Sequence, residues 1–220
     1  MKKYVNLFVF VFMIGACLSQ GRAQTKSAVS YKNPVVDIAM PDPTVIKAAD
    51  GYFYVYATES TRNVPIMKSK DLVEWTYCNT AFTNKTRPRF EPKAGIWAPD
   101  INYINGKYVH YYAMSVWGGE QTCGIGVATA NSPQGPFTDH GKMFRSNEIG
   151  VQNSIDPSLL QYEGRNYLVW GSFRGIYVIE LTTDGLSIMP GAKKKRIAGT
   201  AFEAVYIHKH DDYYYMFASI

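Results

Sequence analysis

Four acidic residues, each standing at the head of a short hairpin, constrain this chain more than anything in its composition. Asp156 opens Asp-Pro-Ser-Leu-Leu, a polar turn follows at 163–166, and an aromatic run over 167–170 ends in Gly-Ser. The same plan occurs three more times. Asp42 precedes Pro-Thr-Val-Ile, the turn Asp50-Gly51 and a strand-like run over 52–57; Asp100 precedes Ile-Asn-Tyr-Ile, the turn Asn105-Gly106 and the run 108–114. Glu203 precedes Ala-Val-Tyr-Ile, the turn Asp211-Asp212 and the run 213–219. Asp-Gly and Asn-Gly favour tight hairpins, because both residues tolerate positive φ. The acids are 58, 56 and 47 positions apart. A unit of that length cannot bury both of its faces alone and must stack on copies of itself. The expected fold is an all-β propeller whose innermost strands line a central channel. Acids at the same place in every repeat would then meet at one axial site.

Behind each hairpin there is material for two more strands. Runs at 64–67, 123–129 and 176–181 read as third strands, and each is followed by a polar turn with room for a fourth strand at the rim. No stretch beyond the N-terminal segment keeps a 3.6-residue period over three turns, so helix should be minor. Residues 33–220 therefore hold about three blades and the start of a fourth. Because a propeller protects its edges by closing on itself, the native protein is expected to continue past Ile220.

Residues 1–23 read as an export signal. Lys2-Lys3 is followed by an apolar run at 5–14, too short to span a bilayer, and Gly21-Arg22-Ala23 suits signal-peptidase cleavage. A second reading takes Ile14-Gly15-Ala16-Cys17 as a lipobox, which would leave a lipid anchor on Cys17 at the outer surface. Residues 24–32 read as a polar linker. The expected location is secreted or periplasmic. Cys78 and Cys123 could pair in such a compartment; the reading preferred here is two small buried residues. The formal charge of +5 falls to +2 once Lys2, Lys3 and Arg22 are set aside. That is no electrostatic footprint for nucleic acid. The basic run at 193–196 reads as a solvated loop.

The acids suggest a chemistry. Inverting hydrolysis of a glycosidic bond needs one carboxylate to activate water and one carboxylic acid to protonate the leaving oxygen, about 6.5–9.5 Å apart. A third carboxylate nearby can raise the acid's pKa by like-charge repulsion and orient it. Any single Asp-Pro is also an ordinary turn former, and four acids at a hub could be architectural, bonded to backbone amides. His110, His140, His208 and His210 show no metal spacing, and Gly124-Ile125-Gly126 lacks the strand–helix setting of a phosphate loop.

The ordered set Met40-Pro41-Asp42-Pro43-Thr44, Trp97-Ala98-Pro99-Asp100-Ile101, Asn153-Ser154-Ile155-Asp156-Pro157, Trp170-Gly171-Ser172-Phe173 and Phe202-Glu203-Ala204 resembles glycoside hydrolase family 43, the five-bladed β-propeller enzymes acting on arabinan and xylan. The resemblance implies Asp42 as general base, Glu203 as general acid and Asp156 as the residue that tunes and orients that acid. Asp100 matches a family position considered structural. Trp97 would pack on a sugar ring or fill the hub. Asn153 and Ser172 would hydrogen-bond a pentose hydroxyl or satisfy nearby backbone. Phe173 would wall the site or fill the core. The stretch 171–181 resembles arabinan-cleaving members more than β-xylosidases, which points to α-1,5-linked L-arabinofuranose polymers. The alternatives are an exo-acting α-L-arabinofuranosidase or β-xylosidase, a non-catalytic carbohydrate-binding propeller, and a structural or protein-binding propeller. The implied partner is a pentose polysaccharide or oligosaccharide, and the implied state a monomer. No cofactor is required by this chemistry. Family members hold a calcium or other ion on the axis, with ligands expected beyond residue 220.

Overall fold

Short apolar runs punctuated by turn residues build four successive antiparallel sheets. The computed structural model describes residues 30–220, so the export signal, Cys17 and most of the linker lie outside the described residues. The first sheet runs β1 (Thr44–Lys47), β2 (Phe53–Tyr56), β3 (Pro65–Ser69) and β4 (Thr76–Thr80) in chain order from hub to rim. The second repeats that order with β5 (Gly95–Ile104), β6 (Lys107–Ser115), β7 (Gly124–Ala130) and β8 (Thr138–Arg145). After a single helical turn, α1 (Ser146–Ile149), the third follows as β9 (Ser158–Tyr162), β10 (Arg165–Trp170), β11 (Ile176–Glu180) and β12 (Lys195–Ala198). The hairpin of β13 (Glu203–His210) and β14 (Tyr213–Ser219) begins the fourth. These sheets are consecutive blades of a β-propeller. Asn105-Gly106 and Glu163-Gly164 carry positive φ at both residues, as tight hairpin turns matched to strand twist require.

Each hydrophobic cluster lies between neighbouring blades, which is why no blade stands alone. Tyr54, Tyr56, Ile66 and Phe82 of the first meet Ile101, Tyr112, Met114 and Phe137 of the second. Val109, Ile125 and Phe144 of the second meet Leu168, Trp170 and Ile179 of the third. Val169 and Ile176 of the third meet Val205 of the fourth. Central strands are therefore apolar on both faces; β6 is buried from Tyr108 to Ser115. Each large side chain so buried contributes roughly 1.5–3 kcal/mol.

His110 sits in this β6 run, boxed by Tyr56, Phe82, Tyr112 and Phe137 with ring centroids 5.4–5.9 Å away. Neither of its nitrogens has a hydrogen-bond partner among the described residues. Burial pushes its pKa down to about 3, so the ring is a neutral packing group. Cys123 is buried and Cys78 half-buried, and both are free thiols.

One reading is corrected. The basic run at 193–196 is not all loop: Lys195 and Arg196 begin β12, the outermost strand of the third blade. Exposed basic side chains blunt an edge strand against pairing with other chains, and that function hides the strand from a reading based on apolar alternation.

Candidate active site

The inner strands do not present their acids at one level. Asp42 and Asp156, each before a proline, have φ of 49° and 57°; Ala98 (41°) and Ala204 (51°) hold the same position in the second and fourth blades. The ladders confirm the register. Thr44 faces Tyr56, Asp100 faces Tyr111 and Tyr206 faces Phe217, and β5 and β13 share a bulge, between Trp97 and Asp100 and between Glu203 and Tyr206. Glu203 thus corresponds to Trp97, one residue before the left-handed residue. Asp100 corresponds to Thr44, two residues after it, or roughly 7 Å deeper along an extended strand. The expectation of four acids at one repeat position is therefore corrected: only Asp42 and Asp156 share it. Acid-to-turn spacing does not register a bulge. The left-handed residues cost on the order of 1–3 kcal/mol each, a strain that collects at functional hubs.

Asp42, Asp156 and Glu203 line one cleft of about 410 Å³. Each carboxylate has a different partner. Asp42 Oδ2 accepts from the Thr58 hydroxyl at 2.6 Å, while the Ala98 amide donates to that hydroxyl at 2.7 Å and so directs its proton to Asp42. Glu203 Oε2 accepts from the Ser172 hydroxyl at 2.8 Å. Asp156 Oδ2 accepts from the Ala204 amide at 3.1 Å. Burial, then the negative charges of Glu203 and Asp42, push Asp156 up to about 7 against that amide's pull.

Asp100 does other work. Its Oδ2 accepts from the Leu159 amide and the Asn102 side chain, both at 2.7 Å. It staples the second blade to the third, and burial pushes it up to about 6 despite those donors.

The raised Asp156 has a measurable consequence. The folded protein binds this proton more tightly than an unfolded chain, whose aspartate titrates near ~3.9. Stability from this group is full below about pH 4 and is lost as pH rises towards about 7. Asp156→Asn removes the titration, and Asn tolerates positive φ. The variant's melting temperature should therefore gain on the parent's as pH rises from 4 to 8. A difference independent of pH would reject the assignment.

The remaining predicted residues gather around the same cleft. Trp97 packs on Ala113, Cys123 and Ile155, and its indole folds back over Gly95, where a Cβ would lie 2.3 Å from Nε1. Asn153 donates to the Ser172 carbonyl at 3.1 Å. Ser172 is buried with its hydroxyl on Glu203, and Phe173 is 38% exposed at the wall. Sequence reasoning missed Thr58, Glu120 and Trp117. Trp117, 93% exposed with its ring 5.4 Å from that of Trp97, follows the end of β6 and precedes Gly118-Gly119. An indole set beside two glycines at a strand end was the available signal. The ion implied by the resemblance would sit on the axis. Among the described residues the channel wall carries no histidine, and no three His, Cys, Asp or Glu side chains, the cleft carboxylates included, are placed to hold a metal ion, so the residues present do not form a set that would hold it.

Comparison with known proteins bears on the family and the fold. The family model described as "Glycosyl hydrolases family 43" matches residues 31–220. The extracellular endo-α-(1→5)-L-arabinanase 1 of Bacillus subtilis is 35% identical over 192 residues, covering 81% of this chain and 58% of that protein. The structure of the native Bacillus subtilis arabinanase Arb43A superposes with a TM-score of 0.72 at 32% identity, over 83% of this chain and 66% of that one. An exo-1,5-α-L-arabinanase from a bovine ruminal metagenomic library superposes with a TM-score of 0.70 at 30% identity, over 86% and 67%. The chain thus spans little more than half the length of the curated relative it matches. With the family model covering the whole propeller region, this chain belongs to glycosyl hydrolase family 43.

Proposed function

We propose that the protein is a secreted enzyme that hydrolyses arabinan, the α-1,5-linked L-arabinofuranose polymer, with inversion. One observation carries the reading: three carboxylates from three blades face one cleft, and each has a different hydrogen-bond partner. Asp42, exposed and held by Thr58, takes a proton from the attacking water. Glu203, at the head of the fourth blade, protonates the leaving oxygen. Asp156, bonded to the amide next to Glu203, fixes the backbone that carries that acid. Trp97 and Trp117 offer indole faces to furanose rings, and Phe173 walls the cleft. The names of the relatives, endo- and exo-arabinanases, support the substrate, and the extracellular relative supports export.

The test is a substrate panel on the full-length protein: linear arabinan, arabinoxylan and nitrophenyl pentosides. Release of a ladder of arabino-oligosaccharides is the expected result. Release of a single short product from chain ends, or cleavage of pentosides alone, would make the enzyme exo-acting. Sugar binding without turnover would make the propeller a binding module.

A further inference from the structure

We infer that Glu120 and Arg174 form a positioning pair that holds the Ser172 hydroxyl on Glu203. The inference rests on the proposed role of Glu203 as proton donor. Ser172 lies in a tight loop between β10 and β11, bounded by Gly171 (φ 128°) and Gly175 (φ 106°). A Cβ on Gly171 would meet the Gly175 carbonyl oxygen at 2.2 Å, so the loop closes on itself and both ends sit in backbone that other residues avoid. Such a loop needs outside ties to hold one conformation. Three are present. The Phe173 amide donates to the Phe202 carbonyl at 2.9 Å, and the Asn153 side chain donates to the Ser172 carbonyl at 3.1 Å. The third is the only one of these made by a side chain of the loop itself: Arg174 reaches Glu120, in the β6–β7 loop of the neighbouring blade, with Nε and Nη2 each 3.2 Å from a carboxylate oxygen.

Glu120 anchors the Asn153 tie as well. Its Oε2 accepts from the Gln152 side chain at 2.6 Å, and its carbonyl accepts from the Asn153 amide at 2.8 Å. A continuous path therefore runs from the Glu120 backbone through Asn153 to the Ser172 carbonyl, and a second runs from the Glu120 carboxylate through Arg174 to the same loop. Both end on the loop whose Ser172 hydroxyl donates to Glu203 Oε2 at 2.8 Å. Glu120 and Arg174 are partly exposed, so the pair adds little to global stability. Its effect is on geometry, where a small misplacement of a reacting group carries a large rate penalty.

The test uses leaving-group dependence. A proton donor matters for a sugar alcohol leaving group and little for a phenol that departs as its anion. Arg174→Leu should lower kcat on linear arabinan by roughly tenfold, part of the 10²–10⁴-fold that a placed proton donor contributes. On an arabino-oligosaccharide carrying a dinitrophenyl group it should lose less than about twofold, on the same reasoning. Ser172→Ala should show the same contrast, and the double variant should be no worse than the poorer single, because both act through one hydrogen bond. Exchanging the pair, as Glu120→Arg with Arg174→Glu, should recover part of the loss. Equal losses on both substrates, or additive losses in the double variant, would overturn the inference. Glu203→Gln is run alongside. If it keeps turnover on arabinan, the role of Glu203 has failed; if it loses turnover while Arg174→Leu shows no contrast, only the positioning pair has failed.

Discussion

Asp42→Asn and Glu203→Gln are each expected to cut turnover of arabinan by roughly 10²–10⁴-fold, the range for a positioned general base or acid. The folded structure should survive both. Each substitution is nearly isosteric, and the Thr58 and Ser172 hydroxyls can still donate to the amide oxygen that replaces the carboxylate. Asn is also tolerated at the left-handed φ of position 42. The two variants should part company on an activated substrate. With a dinitrophenyl leaving group the proton from Glu203 is no longer needed, so Glu203→Gln should recover much of its rate. Asp42→Asn should not, because water must be deprotonated whatever the leaving group. Steady-state rates on the two substrates, with circular dichroism to check the fold, decide the matter. Near-normal turnover of arabinan by Asp42→Asn would sink the inverting assignment; recovery of Asp42→Asn in place of Glu203→Gln would reverse the two roles.

The blade plan was legible because it rests on local chemistry. Asn105-Gly106 announces a turn by its own φ preferences, and the apolar runs that follow are long enough to be strands whatever they pack against. The site was legible in part. Asp42, Asp156 and Glu203 stand in short motifs, and the cleft brings all three together. Their register was not legible. The bulges at 97–100 and 203–206 shift the acids by one or two residues relative to the repeat, and nothing local to those residues marks them. Nor were the partners. Thr58 bonds Asp42 across 16 positions and Ser172 bonds Glu203 across 31, contacts that exist only once neighbouring strands and blades are stacked. Lys195 and Arg196 were misread for the complementary reason: an edge strand is selected to look unlike a strand.

The largest expected loss of stability lies away from the cleft, at the buried pair of Arg87 and Glu59. Both nitrogens of the Arg87 fork bond the two oxygens of Glu59, and the side chains are 7% and 10% exposed. The fork also donates to the Ala94 carbonyl at 2.8 Å, while Glu59 accepts from the Asn63 amide at 2.8 Å and the Ile96 amide at 3.0 Å. The network joins the β2–β3 loop, the crossover to the second blade and the start of β5. It also holds Asn63 and Val64 at φ of 75° and 67°, backbone that a β-branched residue otherwise avoids. Burial alone would push Glu59 up; the guanidinium and the two amides outweigh it and hold Glu59 below the ordinary carboxylate range. Its contribution to stability is therefore full above about pH 4.3 and shrinks as acid protonates it. Arg87→Met leaves Glu59 buried without a counter-charge and should cost about 3–5 kcal/mol. Adding Glu59→Gln removes the stranded charge and keeps one acceptor for an amide, so the double variant should be less destabilised than the sum of the singles. Urea midpoints at pH 7 measure both. Because Ile96 leads directly into Trp97 and Ala98, whose amide sets the Thr58 hydroxyl on Asp42, the folded fraction of Arg87→Met should also turn over more slowly. A loss below about 1 kcal/mol, the range of an exposed pair, would mean that water reaches this junction and that the first two blades are joined by their apolar faces alone.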